Sequence, residues 1–317
     1  MFRAKTIVFS SSTMASKLLL TRLRTLTRPS NPFKNPNFEA QTLIQIRQYS
    51  DPIDPAAPPT PAIANFNRAS KSSLNETELE KFSAIAETWW DAEGPFKPLH
   101  VMNPTRLAFI RSTLCRHFGK DQNCARPFEG LKFVDVGCGG GIISEPLARM
   151  GASVMGIDAV EKNIKIAQLH ADLDPITSSI DYRCTTAEKL VEEQRQFDAV
   201  IALEVIEHVA NPSEFCKSLS ELTSSSGATI ISTINRSMRA YATTIIMAEY
   251  VLNWLPRGTH EWSSFLTPEE LVLILQRASI SVEEMAGFVY NPLTGRWSLS
   301  DDISVNFIAF GRKTANE

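Results

Sequence analysis

The chain has 317 residues, 43% of them hydrophobic, and a formal net charge of −3. That is enough for one sizeable globular domain with extensions, and the charge gives no reason to expect a nucleic-acid partner. Five cysteines without a CxxC pair or zinc spacing fit a reduced compartment better than a disulfide frame. Residues 1–50 carry Arg3, Lys5, Lys17, Arg22, Arg24, Arg28, Lys34 and Arg47 against one acid, Glu39, among many Ser and Thr. This is the composition of a mitochondrial or plastid transit peptide, with a plain basic tail as the alternative. Arg47-Gln48-Tyr49-Ser50 resembles a matrix-protease cleavage site and favours the mitochondrion. Residues 51–74, Pro- and Ala-rich at their start, read as a linker.

Over 77–91, Leu79, Phe82, Ile85, Ala86 and Trp89 recur at helical spacing. A second helix is predicted from Asn103 as N-cap and Pro104 at its first position to His117. Residues 119–130 read as a polar loop. From Leu131 the pattern alternates: strand 132–136, helix 142–150, strand 153–157, helix 160–171, strands 180–184 and 197–203, an acidic turn, helix 212–224, strand 228–234. Such alternation predicts a mostly parallel sheet with helices on both faces. Residues 238–262 are apolar and aromatic, with Arg236, Arg239 and Arg257 at the flanks. They read equally as a segment lying in a bilayer interface or as a helix capping a pocket. Glu249, Asn253 and Pro256 interrupt the stretch too often for it to span. Thr267 and Pro268 open another helix, and strands at 280–290 and 303–311 bring the sheet to seven strands.

The most informative run is Phe133-Val134-Asp135-Val136-Gly137-Cys138-Gly139-Gly140-Gly141, a buried strand ending in a glycine turn at the mouth of an α/β sheet. Val154-Met155-Gly156-Ile157-Asp158 is a second strand tipped by an acid that suits a ribose diol. A nicotinamide site needs G-x-G-x-x-G, yet the third position is Ile142; the pattern here is D-x-G-x-G-x-G. S-adenosylmethionine has no pyrophosphate to lay on a helix N-terminus and needs a flat glycine surface instead. The glycine turn, the strand-two acid and the acidic turn after strand four together favour S-adenosylmethionine over NAD. Glu204, Glu207 and His208 stand at i, i+3 and i+4, one face if the turn is helical. Two carboxylates and an imidazole there suit either a divalent cation or, more simply, the complement of a helix N-terminus.

Val134 to Gly141, Gly156-Ile157-Asp158 and Leu203-Glu204-Val205-Ile206-Glu207-His208-Val209 resemble class I S-adenosylmethionine-dependent methyltransferases. Trp89-Trp90-Asp91, Leu99 to Arg106, Asn235-Arg236 and Leu255 to Trp262 narrow the resemblance to the ubiquinone-biosynthesis O-methyltransferases. It covers residues 75–313, with 119–130 as an insertion. The resemblance implies a seven-stranded, Rossmann-like α/β fold with an N-terminal helical extension. It also implies cofactor contacts at Arg106, Gly137, Asp158 and Leu203. Arg106 would fork onto the methionine carboxylate; from the residues alone it reads equally as a solvated helix charge, and Leu203 as core. A Mg²⁺-type site at Glu204, Glu207 and His208 follows as well, open to other divalent cations, with His208 or Glu204 as general base. The implied substrate is a prenylated catechol or quinol, and the implied setting the matrix face of the mitochondrial inner membrane among other ubiquinone-biosynthesis proteins. Methylation of another phenol or of ring carbon, and a non-catalytic cofactor-binding scaffold, are the alternatives. Trp89 and Trp90 read as core or as a wall of the substrate pocket.

Overall fold

The computed structural model describes residues 74–240, 264–291 and 293–314. The basic leader at 1–50, all but the last residue of the linker, and 241–262 of the apolar-aromatic stretch lie outside the described residues. Two helices come first: α1 (Glu76–Ile85) and α2 (Lys97–His117), joined through a short 3₁₀ turn, Ala86–Thr88. The alternating part follows as β1 (Lys132–Val136), α3 (Ser144–Arg149), β2 (Ser153–Asp158), α4 (Glu161–Ala171), β3 (Asp181–Cys184), α5 (Ala187–Glu192), β4 (Phe197–Leu203), α6 (Pro212–Leu222) and β5 (Thr223–Ile234). After it come α7 (Pro268–Arg277), β6 (Ile280–Asn291), β7 (Arg296–Ser300) and β8 (Asn306–Lys313).

The strands form one sheet in the order β3-β2-β1-β4-β5-β8-β6-β7. The first five run parallel; β8 pairs antiparallel with β5, β6 with β8 and β7 with β6. The sheet therefore has eight strands rather than seven. The strand that sequence reading missed is Arg296–Ser300. Its alternation is short and mostly polar, and it is held as a return from β6 by pairs such as Tyr290↔Trp297. The period-2 alternation divides the core. Val134, Val200 and Ala202 pack with Phe215, Leu219 and Leu271 on one face. Phe133, Ala199 and Ile201 pack with Phe109, Ile110 and Leu147 on the other. Helices thus cover both faces, as the alternation predicts.

Helix α2 differs from expectation. It starts at Lys97 rather than Asn103 and carries Pro104 inside it. Pro98 takes the N-terminal place that suits a proline, whereas Pro104, inside the helix, has no N–H for the His100 carbonyl and crowds it. Asn103 is no cap; its side-chain amide donates to the Ile142 carbonyl at 2.7 Å and ties the helix to the glycine turn. Helix α7 follows the sequence closely: Thr267 accepts from the Glu270 N–H and the Glu270 side chain accepts from the Thr267 N–H, a capping box.

Strand order reverses between β1 and β4, which lie side by side while their chain neighbours lead to opposite edges. Ligands of open α/β sheets bind in the crevice at such a point, beyond the carboxyl ends of the strands.

Candidate active site

A cavity of about 370 Å³ opens at that crevice, a volume that suits a small-molecule site. Its floor is the end of β1 with the glycine turn. Gly137 adopts φ +72°, and a Cβ there would stand 2.5 Å from the Val205 side chain. Only glycine takes this backbone without strain, so close packing of the strand-four turn on the glycine turn depends on it. Gly139 has φ +53°, and a Cβ would overlap the Trp89 ring at 2.3 Å. That glycine makes room for the protein's own tryptophan.

Trp89 therefore lies over the turn. Its ring stacks on Phe96 at 3.6 Å, and its Nε1 donates to Asn163 at 2.9 Å. Trp90 donates from Nε1 to the Gly140 carbonyl at 2.9 Å and stacks on His170 at 3.4 Å. The two tryptophans close residues 86–96 over the glycine turn like a strap. Trp89 is also a wall of the cavity, so both sequence-level readings of it describe the same residue.

Asp158 closes β2 and lines the cavity. Its Oδ2 accepts from the Gly139 N–H at 3.0 Å; its Oδ1 accepts from the Val160 N–H at 2.8 Å and from Asn163 at 3.1 Å. Burial raises its pKa and these donors oppose the rise. The carboxylate is thus fixed in orientation, with a lone pair left on Oδ2. Leu203 ends β4, 8% exposed, and serves both readings: it packs in the core and lines the cavity.

Arg106 is buried to 2% exposure on α2 and is not a solvated charge. One guanidinium nitrogen donates to the Leu99 carbonyl at 3.3 Å, while Nε is buried without a hydrogen-bond partner. Burial lowers its pKa, and the neighbouring Glu204 and Asp135 offset this. Arg106 itself is not among the cavity-lining residues; Leu99 and Met102 of the same helix are.

The acidic turn differs from a regular helical turn. Glu204 stands before it with φ +56°, a left-handed conformation uncommon for a non-glycine residue. Only Ile206–His208 forms a turn of 3₁₀ helix. The strain is held by β5: Ser232 accepts the Glu204 N–H through its carbonyl at 3.1 Å, and its hydroxyl donates to Glu204 Oε1 at 2.6 Å. The hydroxyl of Thr233 donates to Glu207 Oε2 at 3.0 Å, and Glu207 Oε1 is buried with no partner. Burial, then the adjacent Glu204, pushes the Glu207 pKa well above the usual carboxylate range. The two glutamates therefore stand close enough for the charge of Glu204 to act on Glu207.

His208 is turned toward α1. Its Nδ1 lies 2.8 Å from Glu78 Oε2, and its ring meets Phe82 edge-on at 5.1 Å. Hydrogen bonding to His208 is the main reason that Glu78 has its pKa lowered to about 2. Among the described residues, no group of three His, Cys, Asp or Glu side chains is gathered as a metal site would gather them. Glu204, Glu207 and His208 all line the cavity, but the carboxylates pair while the imidazole binds Glu78. Each carboxylate is held by a hydroxyl of β5, and Glu207 Oε1 is the oxygen left over that a divalent cation would satisfy.

Glu78, Asn163, Trp297 and Asn306 also reach this site, and sequence reading named none of them. Their partners lie far along the chain, as with the 130 residues between Glu78 and His208. The one available signal was Asn163, five residues beyond Asp158 on the face that α4 turns to β2.

Comparison with known proteins agrees with this geometry. A family model described as a methyltransferase domain matches residues 134–231. The mitochondrial ubiquinone biosynthesis O-methyltransferase of Arabidopsis thaliana is 74% identical over 245 residues, covering 77% of this chain and 76% of its own. The ubiquinone biosynthesis O-methyltransferase of Parvibaculum lavamentivorans is 47% identical over 247 residues, covering 78% of this chain and 97% of its own. Among solved structures, magnesium protoporphyrin IX methyltransferase from Synechocystis, with bound S-adenosylhomocysteine, superposes with a TM-score of 0.51 at 19% identity. The match covers 74% of this chain and 94% of that one, a likeness of fold alone.

Proposed function

The chain belongs to the ubiquinone biosynthesis O-methyltransferase family, and on that premise we propose that its β1–β4 crevice carries out methyl transfer to a phenolic oxygen of a prenylated catechol. The enzyme is an S-adenosylmethionine-dependent O-methyltransferase with the class I fold. The observation that carries the site assignment is one cavity lined both by a ribose-type acid, Asp158, and by the Glu204–Glu207 pair.

S-adenosylmethionine, when bound, supplies a methyl on a sulfonium and departs as a neutral thioether, so the protein needs alignment and a base more than electrophilic activation. Asp158, with its orientation fixed by Gly139, Val160 and Asn163, would accept from the ribose hydroxyls. Gly137 would allow the close approach of the amino-acid end, and Leu203 would pack against the adenine side. Arg106, buried with an unpartnered Nε, supports a role for its charge toward the cofactor's carboxylate. Glu204, which lines the cavity and is held in place by the Ser232 hydroxyl, would take the phenol proton, with His208 as the alternative base. Trp89 would exclude water from the glycine turn. A divalent cation, Mg²⁺ by its preference for oxygen ligands, would be held by Glu204 and Glu207, with His208 beside them, and would acidify the phenol.

Location follows the same reasoning. The basic leader and the mitochondrial name of the Arabidopsis relative support a mitochondrial address. Among the described residues no helix is long and apolar enough to cross a membrane. Met238 is 76% exposed at the start of the apolar-aromatic stretch, which supports peripheral contact with the matrix face of the inner membrane. A substrate that stays in that membrane favours assembly with the neighbouring enzymes of ubiquinone synthesis.

The test is incubation with S-adenosylmethionine, a divalent cation and a short-tailed prenylated catechol, with mass spectrometry and NMR of the product. A product with one added methyl on a ring oxygen is expected. Methyl on ring carbon, or no methyl transfer by the folded protein, overturns the reading.

A further inference from the structure

Seven buried side-chain atoms have no hydrogen-bond partner among the described residues, and two of them belong to residues that line the cavity. One is Glu207 Oε1 of the glutamate pair. The other is Oδ1 of Asn306, which no motif points to.

Asn306 opens β8, and its register partner is Ile234, at the end of β5. Because β8 runs antiparallel to β5, its first residue stands at the carboxyl edge of the parallel strands, the edge that carries Leu203 and Glu204. Directly opposed residues of an antiparallel pair share a face, and so do residues two apart. Asn306 therefore shares a sheet face with Ile234 and Ser232, and Ser232 is the residue whose hydroxyl holds Glu204. The lining residues placed beside Asn306 are apolar: Ile234 across the register and Val305 before it in the chain. The residue is 9% exposed. A buried amide with an unused acceptor in an apolar wall costs folding free energy, and such groups persist where a ligand satisfies them.

We propose that Asn306 is a substrate-binding residue: its side-chain amide accepts a hydrogen bond from the second hydroxyl of the catechol while the first is presented to Glu204. The assignment rests on the O-methyltransferase reading above and adds the basis for choosing a catechol over a phenol with one hydroxyl. A catechol brings two adjacent oxygens to the wall. One loses its proton to become the nucleophile, and the other needs a fixed acceptor to set the ring's rotation. A phenol without the second hydroxyl leaves the amide unpaired in the complex, and sites built to bind a hydroxyl reject analogues that lack it.

The experiment compares wild type, Asn306→Leu and Asn306→Asp on two short-tailed prenylated substrates, a catechol and its analogue with one hydroxyl, while calorimetry follows S-adenosylmethionine binding. Wild type is expected to prefer the catechol in kcat/KM. Asn306→Leu should lose roughly 10- to 100-fold on the catechol, little on the single-hydroxyl analogue, and nothing in cofactor affinity. Asn306→Asp, which keeps the acceptor, should retain most of the preference. Equal losses on both substrates, weakened cofactor binding in the leucine variant, or an undiminished catechol preference in it overturns the assignment. A wild type that treats the two phenols alike overturns it without any variant. A wild type inactive on both sinks the O-methyltransferase reading instead.

Discussion

Glu204, the base proposed above, is also a strained residue. A left-handed φ on a non-glycine residue costs on the order of 1–3 kcal/mol and persists only where its surroundings enforce it. Here Ser232 enforces it from both carbonyl and hydroxyl. Replacing Glu204 by Gln keeps the shape and removes the proposed base. Turnover of the catechol should fall by roughly 10²- to 10⁴-fold while calorimetric affinity for S-adenosylmethionine stays near wild type. Glu204→Gly should recover backbone stability in a thermal melt without recovering activity. At Glu207, the raised pKa means that a cation entering the pair displaces a proton. Turnover should therefore rise with added Mg²⁺ and fall with chelator, and a Glu204→Gln, Glu207→Gln double variant should not respond to either. A wild type indifferent to metal would remove the cation from the site and leave the base in place.

At the scale of elements, the N-terminal helices complete a pocket that the sheet only begins. Helix α1 is fastened to the strand-four turn by Glu78 and His208, and the Trp89–Trp90 strap is fastened to the glycine turn. Glu78 has its pKa depressed, so its contribution is present above the ordinary value of 4.5 and is lost as pH falls toward about 2. Glu78→Gln should speed hydrogen exchange across 76–85 at neutral pH and leave β1 and β4 unchanged. Gly139→Ala should lift the strap, which would show as a red shift of tryptophan emission and weaker cofactor binding. The sequence made some of this visible and not the rest, for a physical reason. The glycine turn, Asp158, Leu203 and the acidic turn are local signals, set by what a single strand end must do. Glu78, Trp297 and Asn306 acquire their roles from packing between segments far apart in the chain, and nothing at their own positions marks them; Asn163 alone stands near a motif residue, five positions beyond Asp158. The same limit explains the start of α2: a proline that fits a helix start also sits inside a longer helix when its neighbours pack well.

For the molecule as a whole, the buried charges under the site tie stability to pH. Burial pushes the Asp135 carboxyl from 3.8 up to about 6, against the Ser144 hydroxyl at 2.6 Å and the charge of Arg106. With the folded pKa above the unfolded one, the native state binds the extra proton, so stability falls as pH rises from 3.8 to about 6 and is level above. At ~1.4 kcal/mol per pH unit the fall is roughly 3 kcal/mol. Urea titrations across that range should show wild type losing this amount relative to Asp135→Asn, and parallel curves for the two proteins would contradict it. The site thus carries a stability penalty at neutral pH, and a bound ligand that engages Arg106 and Asp158 should offset it.

The measurement that bears most directly on the pocket is calorimetric titration of S-adenosylmethionine into the protein spanning residues 75–317, beside the Asp158→Ala variant and beside NAD. Saturable one-site binding of S-adenosylmethionine is predicted, weakened at least tenfold in Asp158→Ala, with no heat from NAD. Uptake of NAD without uptake of S-adenosylmethionine, or an affinity indifferent to Asp158, would contradict it.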